Sequence, residues 1–459
     1  MRNSSHELEG FLKPSSVAVI GASSEPGKIG YEVLRNMIVA GFKGRIYPVN
    51  PKGGEILGLK VYTSVLEVPS TPELAVICTP ARVVPQVLSE CAERGVRGAV
   101  IISAGFSEIG NYELEKQVVE VARRGGIRVI GPNSAGVINS SVNLHACLEY
   151  RVSRGPISLI SQSGAVGGVL FAYARAFNVG FSKFISCGNS CDVDEVEVLE
   201  YLGLDDETKV IAMYVEVVRR GRDLIRVAKK ISPKKPIVAL KAGRSSAGAR
   251  AAQSHTGKIS TSQAIYDAAF KQAGIIQVST IDELFFSCKA LSQLPILRGR
   301  RIAIVTNSGG PAVLATDECE ELGLSVPEPS GELMSKLRSI LPSYCSIRNP
   351  IDLTAVANYE WYRRVLDVIL MSDEYDGVLV IFVPPSFKSS IEVAKAVCDA
   401  YSANPAKPLI ACFLYGDVVE DGIKVLDRNG IFHVQSTRIA AKILKALLEY
   451  GRIKFKFGS

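Results

Sequence analysis

Nowhere in these 459 residues do 18 apolar residues run unbroken, and Met1-Arg2-Asn3-Ser4-Ser5-His6-Glu7 carries no apolar core behind a basic start. A cytoplasmic protein without a membrane partner is therefore expected. The ten cysteines stand singly apart from Cys187 and Cys191, and no second Cys or His pair lies at ligand spacing. No metal site is expected, and the thiols read as buried and reduced. The net charge is +7, yet no basic helix and no run of aromatics interleaved with arginine accompanies it, which argues against nucleic acid. Small phosphorylated ligands account for the charge more simply. No P-loop or other recognisable cradle for a nucleoside triphosphate is present.

With 47% hydrophobic and 22% charged residues the chain is an ordinary globular sequence, and its length implies about three domains at roughly 150 residues each. Short β-branched runs alternate with longer helical patterns, the signature of parallel doubly wound sheets. In the first block the strands fall at 16–20, 45–49, 74–78, 98–102 and 128–130, with helices such as 31–40 and 83–94 between them. A second block runs from 157 to about 294, and a third begins at 301. Residues 295–301 read as one linker and 139–156 as a looser one. The prediction is α/β, three consecutive doubly wound domains at 1–138, 139–296 and 297–459. Residues 157–164 and 302–310 echo each other: each is a strand, then a polar turn with Ser-Gly, then a helix.

From 241 to 266 there is no Asp or Glu, while Lys241, Arg244, Arg250 and Lys258 surround Gln253-Ser254-His255-Thr256-Gly257. A neutral imidazole can take a phosphoryl group and pass it on, splitting one hard transfer into two, while cations and backbone amides hold the anion. The plain alternative is a surface-loop histidine. Ser161-Gln162-Ser163-Gly164-Ala165 follows a strand and opens a helix, where free amides and the positive dipole end favour an anion; an ordinary N-cap is the competing explanation. Glu216 ends the strand 211–215. It either fixes the tautomer of His255 or pairs with Arg219 or Arg220.

The turn 21–30, with Gly21, Ser23, Ser24 and Lys28, stands between the first strand and helix, where amides bind phosphate. Its spacing is not G-x-G-x-x-G. Asn50 with Lys52 replaces the acid that an NAD site places after the second strand, which favours a nucleotide bearing a ribose phosphate, such as coenzyme A. A turn that merely tightens the corner is the alternative. Asn189 and Asp192 could position a carboxyl substrate, or form a plain turn. Asn349 to Leu353 reads as a capped turn, and His6, His145 and His433 as structural.

Taken in order, the segment 16–30 with Val49-Asn50-Pro51-Lys52, then Gly131-Pro132-Asn133-Ser134-Ala135-Gly136, Ser161 to Ala165, Gly188-Asn189, and Ser254-His255-Thr256-Gly257 with Glu216 upstream resemble the alpha subunit of ADP-forming acetyl-CoA synthetase, a relative of succinyl-CoA synthetase. The resemblance covers essentially the whole chain. It implies a CoA-binding Rossmann-like domain followed by two flavodoxin-like domains, and an acid–thiol ligase that works through an acyl phosphate and a phosphohistidine. By the same similarity His255 is the phosphorylated residue, Glu216 its partner, and Ser161, Gln162, Ser163 and Gly164 hold the phosphate. Ser103, Ala104 and Gly105 join the coenzyme A residues. ADP or ATP with Mg2+ belongs on an ATP-grasp beta subunit in an α2β2 heterotetramer, and a flexible loop over 242–253 would carry phosphorylated His255 to it. Ser134 and Val217 stand where relatives often have cysteine and glycine. A succinyl-CoA synthetase alpha chain would explain only the first two blocks, and a non-catalytic acyl-CoA sensor is the reading from another class.

Overall fold

The computed structural model describes residues 8–10, 12–256, 262–414 and 416–457, with the side chains of 252–256 outside that description. It forms two compact units, 1–285 and 286–459. The first contains two sheets. In chain order their strands are β1 (Ser16–Ile20), β2 (Arg45–Val49), β3 (Glu55–Ile56), β4 (Leu59–Lys60), β5 (Leu74–Ile77), β6 (Gly98–Ile101), β7 (Arg128–Ile130), β8 (Gly136–Asn139), β9 (Leu144–Cys147), β10 (Arg154–Ser161), β11 (Phe181–Ser186), β12 (Val210–Val215), β13 (Ile237–Lys241) and β14 (Ile275–Val278). The second unit holds β15 (Ile302–Thr306), β16 (Ile351–Asp352), β17 (Gly377–Phe382), β18 (Leu409–Phe413) and β19 (His433–Val434).

The sheet orders are β2-β1-β5-β6-β7, β14-β13-β12-β10-β11-β8-β9 and β16-β15-β17-β18-β19, with β3 and β4 as a separate hairpin. Leaving out the antiparallel β8 and β9, each sheet has the same parallel plan: its second strand, then first, third, fourth and fifth. The direction of winding reverses between first and third strands, and ligands of such sheets bind outside the carboxyl ends there. Strands such as β1, β5, β6, β15 and β17 are buried along their whole length, as a sheet covered by helices on both faces requires. This is why they read as unbroken apolar runs rather than alternating ones.

Two stretches depart from expectation. Residues 139–156 are not a loose link: β8 and β9 form an antiparallel hairpin whose β8 pairs with β11, and β10 begins at Arg154. The boundary expected after residue 138 therefore falls inside β8, and side chains of the first and second sheets, Val17 and Val76 with Ile160 and Ile211, share one continuous core. The second departure is the loop expected over 242–253, which is helical from Ser246 to Thr256. Ala247, Ala249, Ala251 and Ala252 explain it, since alanine is the strongest helix former and outweighs the single Gly248.

Candidate functional site

Ser161 to Gly164 and Glu216 meet at the reversal point of the second sheet, where β10 and β12 are neighbours. Ser161 is fully buried, and its hydroxyl donates to the Ser163 carbonyl at 2.6 Å while accepting from the Ser163 amide at 3.1 Å. This small loop turns the chain into the helix Gly164–Ala176, whose N-cap residue Ser163 makes no side-chain capping bond among the described residues. The first amides of that helix are thus left for an anion.

Gln162 has a different part from the one expected. Its Oε1 accepts from the amides of Glu216 at 2.6 Å and Val217 at 3.0 Å, and its Nε2 donates to the Val217 carbonyl at 2.8 Å and to Glu195 Oε2 at 3.1 Å. With both ends of the amide committed, Gln162 holds the loop after β12 against the loop after β10.

Glu216 is 5% exposed at the end of β12. The tyrosine two residues earlier, Tyr214, has its hydroxyl pushed up to about 12, first by burial and then by the Glu216 carboxylate beside it. On the next strand, burial holds Lys241 below the usual lysine range, opposed by the attraction of Glu216; its ammonium also lies 4.6 Å from the ring centre of Tyr266. Among the described residues no ion pair joins Glu216 to Arg219 or Arg220: Arg220 pairs with Asp194 and Asp223, and Arg219 donates to the carbonyls of Ser190 and Asn189. His255 lies on the helix Ser246–Thr256, which runs beside the turn Ser107–Ile109. Its side chain, and so its geometry with Glu216, is outside the described residues.

At the carboxyl ends of the first sheet, Gly21 adopts φ +87°, and a Cβ on Gly30 would stand 2.0 Å from the Gly21 carbonyl oxygen. The helix Ile29–Ala40 can start this close to the turn only because both residues lack side chains. Asn50 pins the loop by donating to the Ala22 carbonyl at 2.8 Å and accepting from the Lys52 amide at 2.9 Å. Ser23 accepts from the Glu25 amide, and Lys28 pairs with Glu25 at 2.8 Å with both side chains exposed. Lys52 and Ser24 are exposed on the same rim. The residues expected beside them also gather here: Ser103 donates to the Thr79 carbonyl at 2.5 Å, and the amide of Gly105, one residue past Ala104, reaches Glu108 at 2.5 Å. Burial pushes Glu108 up, but the hydrogen bonds from Gly105, Asn189 and Phe106 outweigh it and hold the carboxyl below its ordinary value.

Asn189 and Asp192 are tied to the fold rather than to an open cavity. The Asn189 amide donates to Glu108 at 2.7 Å and Glu115 at 2.8 Å, and Asp192 accepts from Arg128 at 3.0 Å and the Val129 amide at 2.8 Å. The expected substrate-holding role thus conflicts with the bonds that occupy both side chains. Glu195 and Tyr214 were not anticipated. Glu195 sits in the first turn of a helix capped by Asp194, where an acid looks like ordinary dipole compensation.

The sequence echo in the third block extends to hydrogen bonds. Thr306 and Ser308 repeat the hydroxyl loop at 3.0 Å both ways, and Asn307 exchanges bonds with Val383 at 2.7 and 2.9 Å. Asn307 thus does for β15 and β17 what Gln162 does for β10 and β12. Asn349 binds the backbone of Ile302, Ile304 and Pro327, a purely structural pin.

Comparison with known proteins gives these sites a family. Residues 15–140 match the CoA binding domain family, and residues 154–291 match the succinyl-CoA ligase like flavodoxin domain family. Together with the three sheets, these matches define the class as proteins that join a CoA binding domain to a succinyl-CoA ligase like flavodoxin domain. The alpha subunit of acetate–CoA ligase (ADP-forming) II from Pyrococcus furiosus is 41% identical over 450 residues, covering 97% of this chain and 98% of its own length. A solved acetyl-coenzyme A synthetase 1 from Ca. Korarchaeum cryptofilum, described as in complex with phosphate and ADP, superposes with a TM-score of 0.92 at 38% identity, covering 98% of each chain. This chain belongs to the family of ADP-forming acetate–CoA ligases, matching their alpha subunit from end to end. In Methanocaldococcus jannaschii a 42% identical relative includes 98% of this chain as 64% of a longer polypeptide. The succinate–CoA ligase alpha subunit of Methanothermobacter thermautotrophicus is far more distant, 28% identical over 42% of this chain.

Proposed function

We propose that the chain carries the acyl and coenzyme A half of the reaction acyl-CoA + phosphate + ADP ⇌ carboxylic acid + CoA + ATP. Phosphate oxygen attacks the thioester carbonyl, the carbon–sulfur bond breaks, and the thiolate takes a proton as CoA leaves. The acyl phosphate then gives its phosphoryl group to a neutral nitrogen of His255, releasing the carboxylate. ADP on a partner subunit finally accepts that group. The observation that carries the reading is the meeting of the helix start at Gly164, whose N-cap makes no side-chain bond among the described residues, with the buried Glu216 at one reversal point, in a chain whose residues 15–140 match a CoA binding domain family.

Each residue has a stated task. The Gly21 turn and Lys52 bind the phosphates of CoA, with the tight approach of Gly30 leaving room for the backbone to reach them. The amides at Gly164 hold the transferring phosphoryl group, Gln162 positions the Glu216 backbone, and Glu216 orients the imidazole and steadies its positive charge. The ADP-binding partner is an ATP-grasp beta subunit that also holds Mg2+, in an α2β2 assembly.

Two half-reactions can be separated. The purified chain should be labelled by radioactive acyl phosphate at His255 alone, with an acid-labile, base-stable bond, and not by gamma-labelled ATP until the partner is added. Labelling that survives His255→Ala, or efficient labelling from ATP without a partner, sinks the assignment.

A further inference from the structure

We infer that the unit 286–459 carries a docking cleft for an acidic segment of the partner subunit, a conclusion that rests on the two-subunit reading above. The cleft, about 920 Å³, lies between the segment 296–301 and the end of the long helix Thr437–Phe457. It is built rather than incidental. A Cβ on Gly299 would stand 2.3 Å from the Asp376 carboxylate, and one on Gly451 would stand 2.6 Å from the Leu297 carbonyl, so both walls approach through glycine.

Its charge is one-sided. Arg298, Arg300, Arg301, Arg452 and Lys454 line it, against Asp376 as the lone acid. That acid is already spent, since Arg301 binds it through Nε at 3.0 Å, Nη2 at 2.9 Å and the backbone amide at 2.9 Å. Arg452 lies near Glu449, whose carboxyl burial pushes up. Among the described residues Arg298, Arg300 and Lys454 make no ion pair, although like charges that line one cleft repel one another.

The floor is apolar. Leu297 and Leu448 are buried there, while Phe455 is 87% exposed at the rim. The helix buries no side chain beyond Tyr450, so its last two turns contribute cations and an aromatic ring without serving the core. Cations flanking an apolar strip suit a peptide that carries carboxylates on either side of an apolar or aromatic anchor, the arrangement of a polar rim around a buried centre. A nucleic acid would use the cations and leave the apolar floor unmatched.

The test uses the full chain and its co-purified partner subunit, with association rates measured at low and at 0.5 M salt on the order used to screen surface charge. The double variant Arg298→Glu/Lys454→Glu should associate about tenfold more slowly at low salt, with the difference shrinking at high salt. Phe455→Ala should raise the dissociation rate instead, and acyl phosphate labelling of His255 should be unchanged in every variant. Wild-type association rates and salt dependence in the double variant, with an unchanged melting curve, overturn the cleft while leaving the two-subunit reading intact. Failure of the wild-type chain to bind any partner removes that reading and the cleft with it. Binding of a single-stranded DNA oligonucleotide that is lost in the double variant, while partner binding persists, also overturns it.

Discussion

Gln162→Ala is the sharpest test of how the site is held. The substitution removes all four side-chain bonds that join the loop after β10 to the loop after β12 and to Glu195. Three backbone groups, the amides of Glu216 and Val217 and the Val217 carbonyl, lose a partner. At full burial such a loss costs about 1–3 kcal/mol for each group. Gln162 is only partly buried, so water can reach the turn and recover part of that, leaving an expected destabilisation of about 2–4 kcal/mol in denaturant unfolding. The larger effect should be on chemistry, because a displacement near 1 Å at the Glu216 backbone can cost on the order of 100-fold in rate. Initial rates of His255 labelling by acyl phosphate, read beside the melting curve, separate the two effects. Gln162→Glu sharpens the test: one oxygen still accepts from the amides, but the other meets the Val217 carbonyl and the Glu195 carboxylate. Such a contact is tolerated only when a carboxyl in it is protonated, so labelling by this variant should recover relative to wild type as pH falls. Labelling by Gln162→Ala at the wild-type rate would refute the positioning role, whatever happens to stability.

Glu216→Gln keeps the shape of a buried group and loses its charge, and should lower turnover and the phosphohistidine level by about 100- to 10,000-fold with little change in circular dichroism; wild-type turnover would return Glu216 to a structural role. Lys52→Glu should weaken CoA binding by calorimetry and reduce its dependence on salt, whereas unchanged affinity removes Lys52 from the site. Burial holds the ring of His145 below its ordinary value near 6.5. The unfolded chain therefore binds that proton more readily, so this contribution to stability is present above about pH 6.5 and is lost as pH falls. His145→Gln should flatten the decline in melting temperature between pH 7 and pH 5, and an unaltered slope would show that other groups set it.

The strand positions and the polar turns after β10 and β15 were legible in the sequence because each follows from a local cause, whereas the acid-free segment around His255 is a feature of the sequence whose side-chain setting lies outside the described residues. Buried parallel strands must be continuously apolar, turns must use small polar residues, and a chain segment without acids declares its charge wherever it folds. Three matters depended on distance in space. Gln162 looked like part of an anion loop, and only the pairing of β10 with β12 brought Glu216 and Val217, more than fifty residues away, to its amide. Residues 139–156 looked like a link because β8 and β9 are short, and their strand character comes from the free edge of β11. Arg220 looked available to Glu216 because they are neighbours along the chain, yet the helix at Glu195 presents Asp194 to it first. Chemistry written in residue types was fixed by the sequence alone, whereas the partners of each polar group were decided by the fold, because hydrogen bonds and ion pairs form between whichever groups the packed core carries into range.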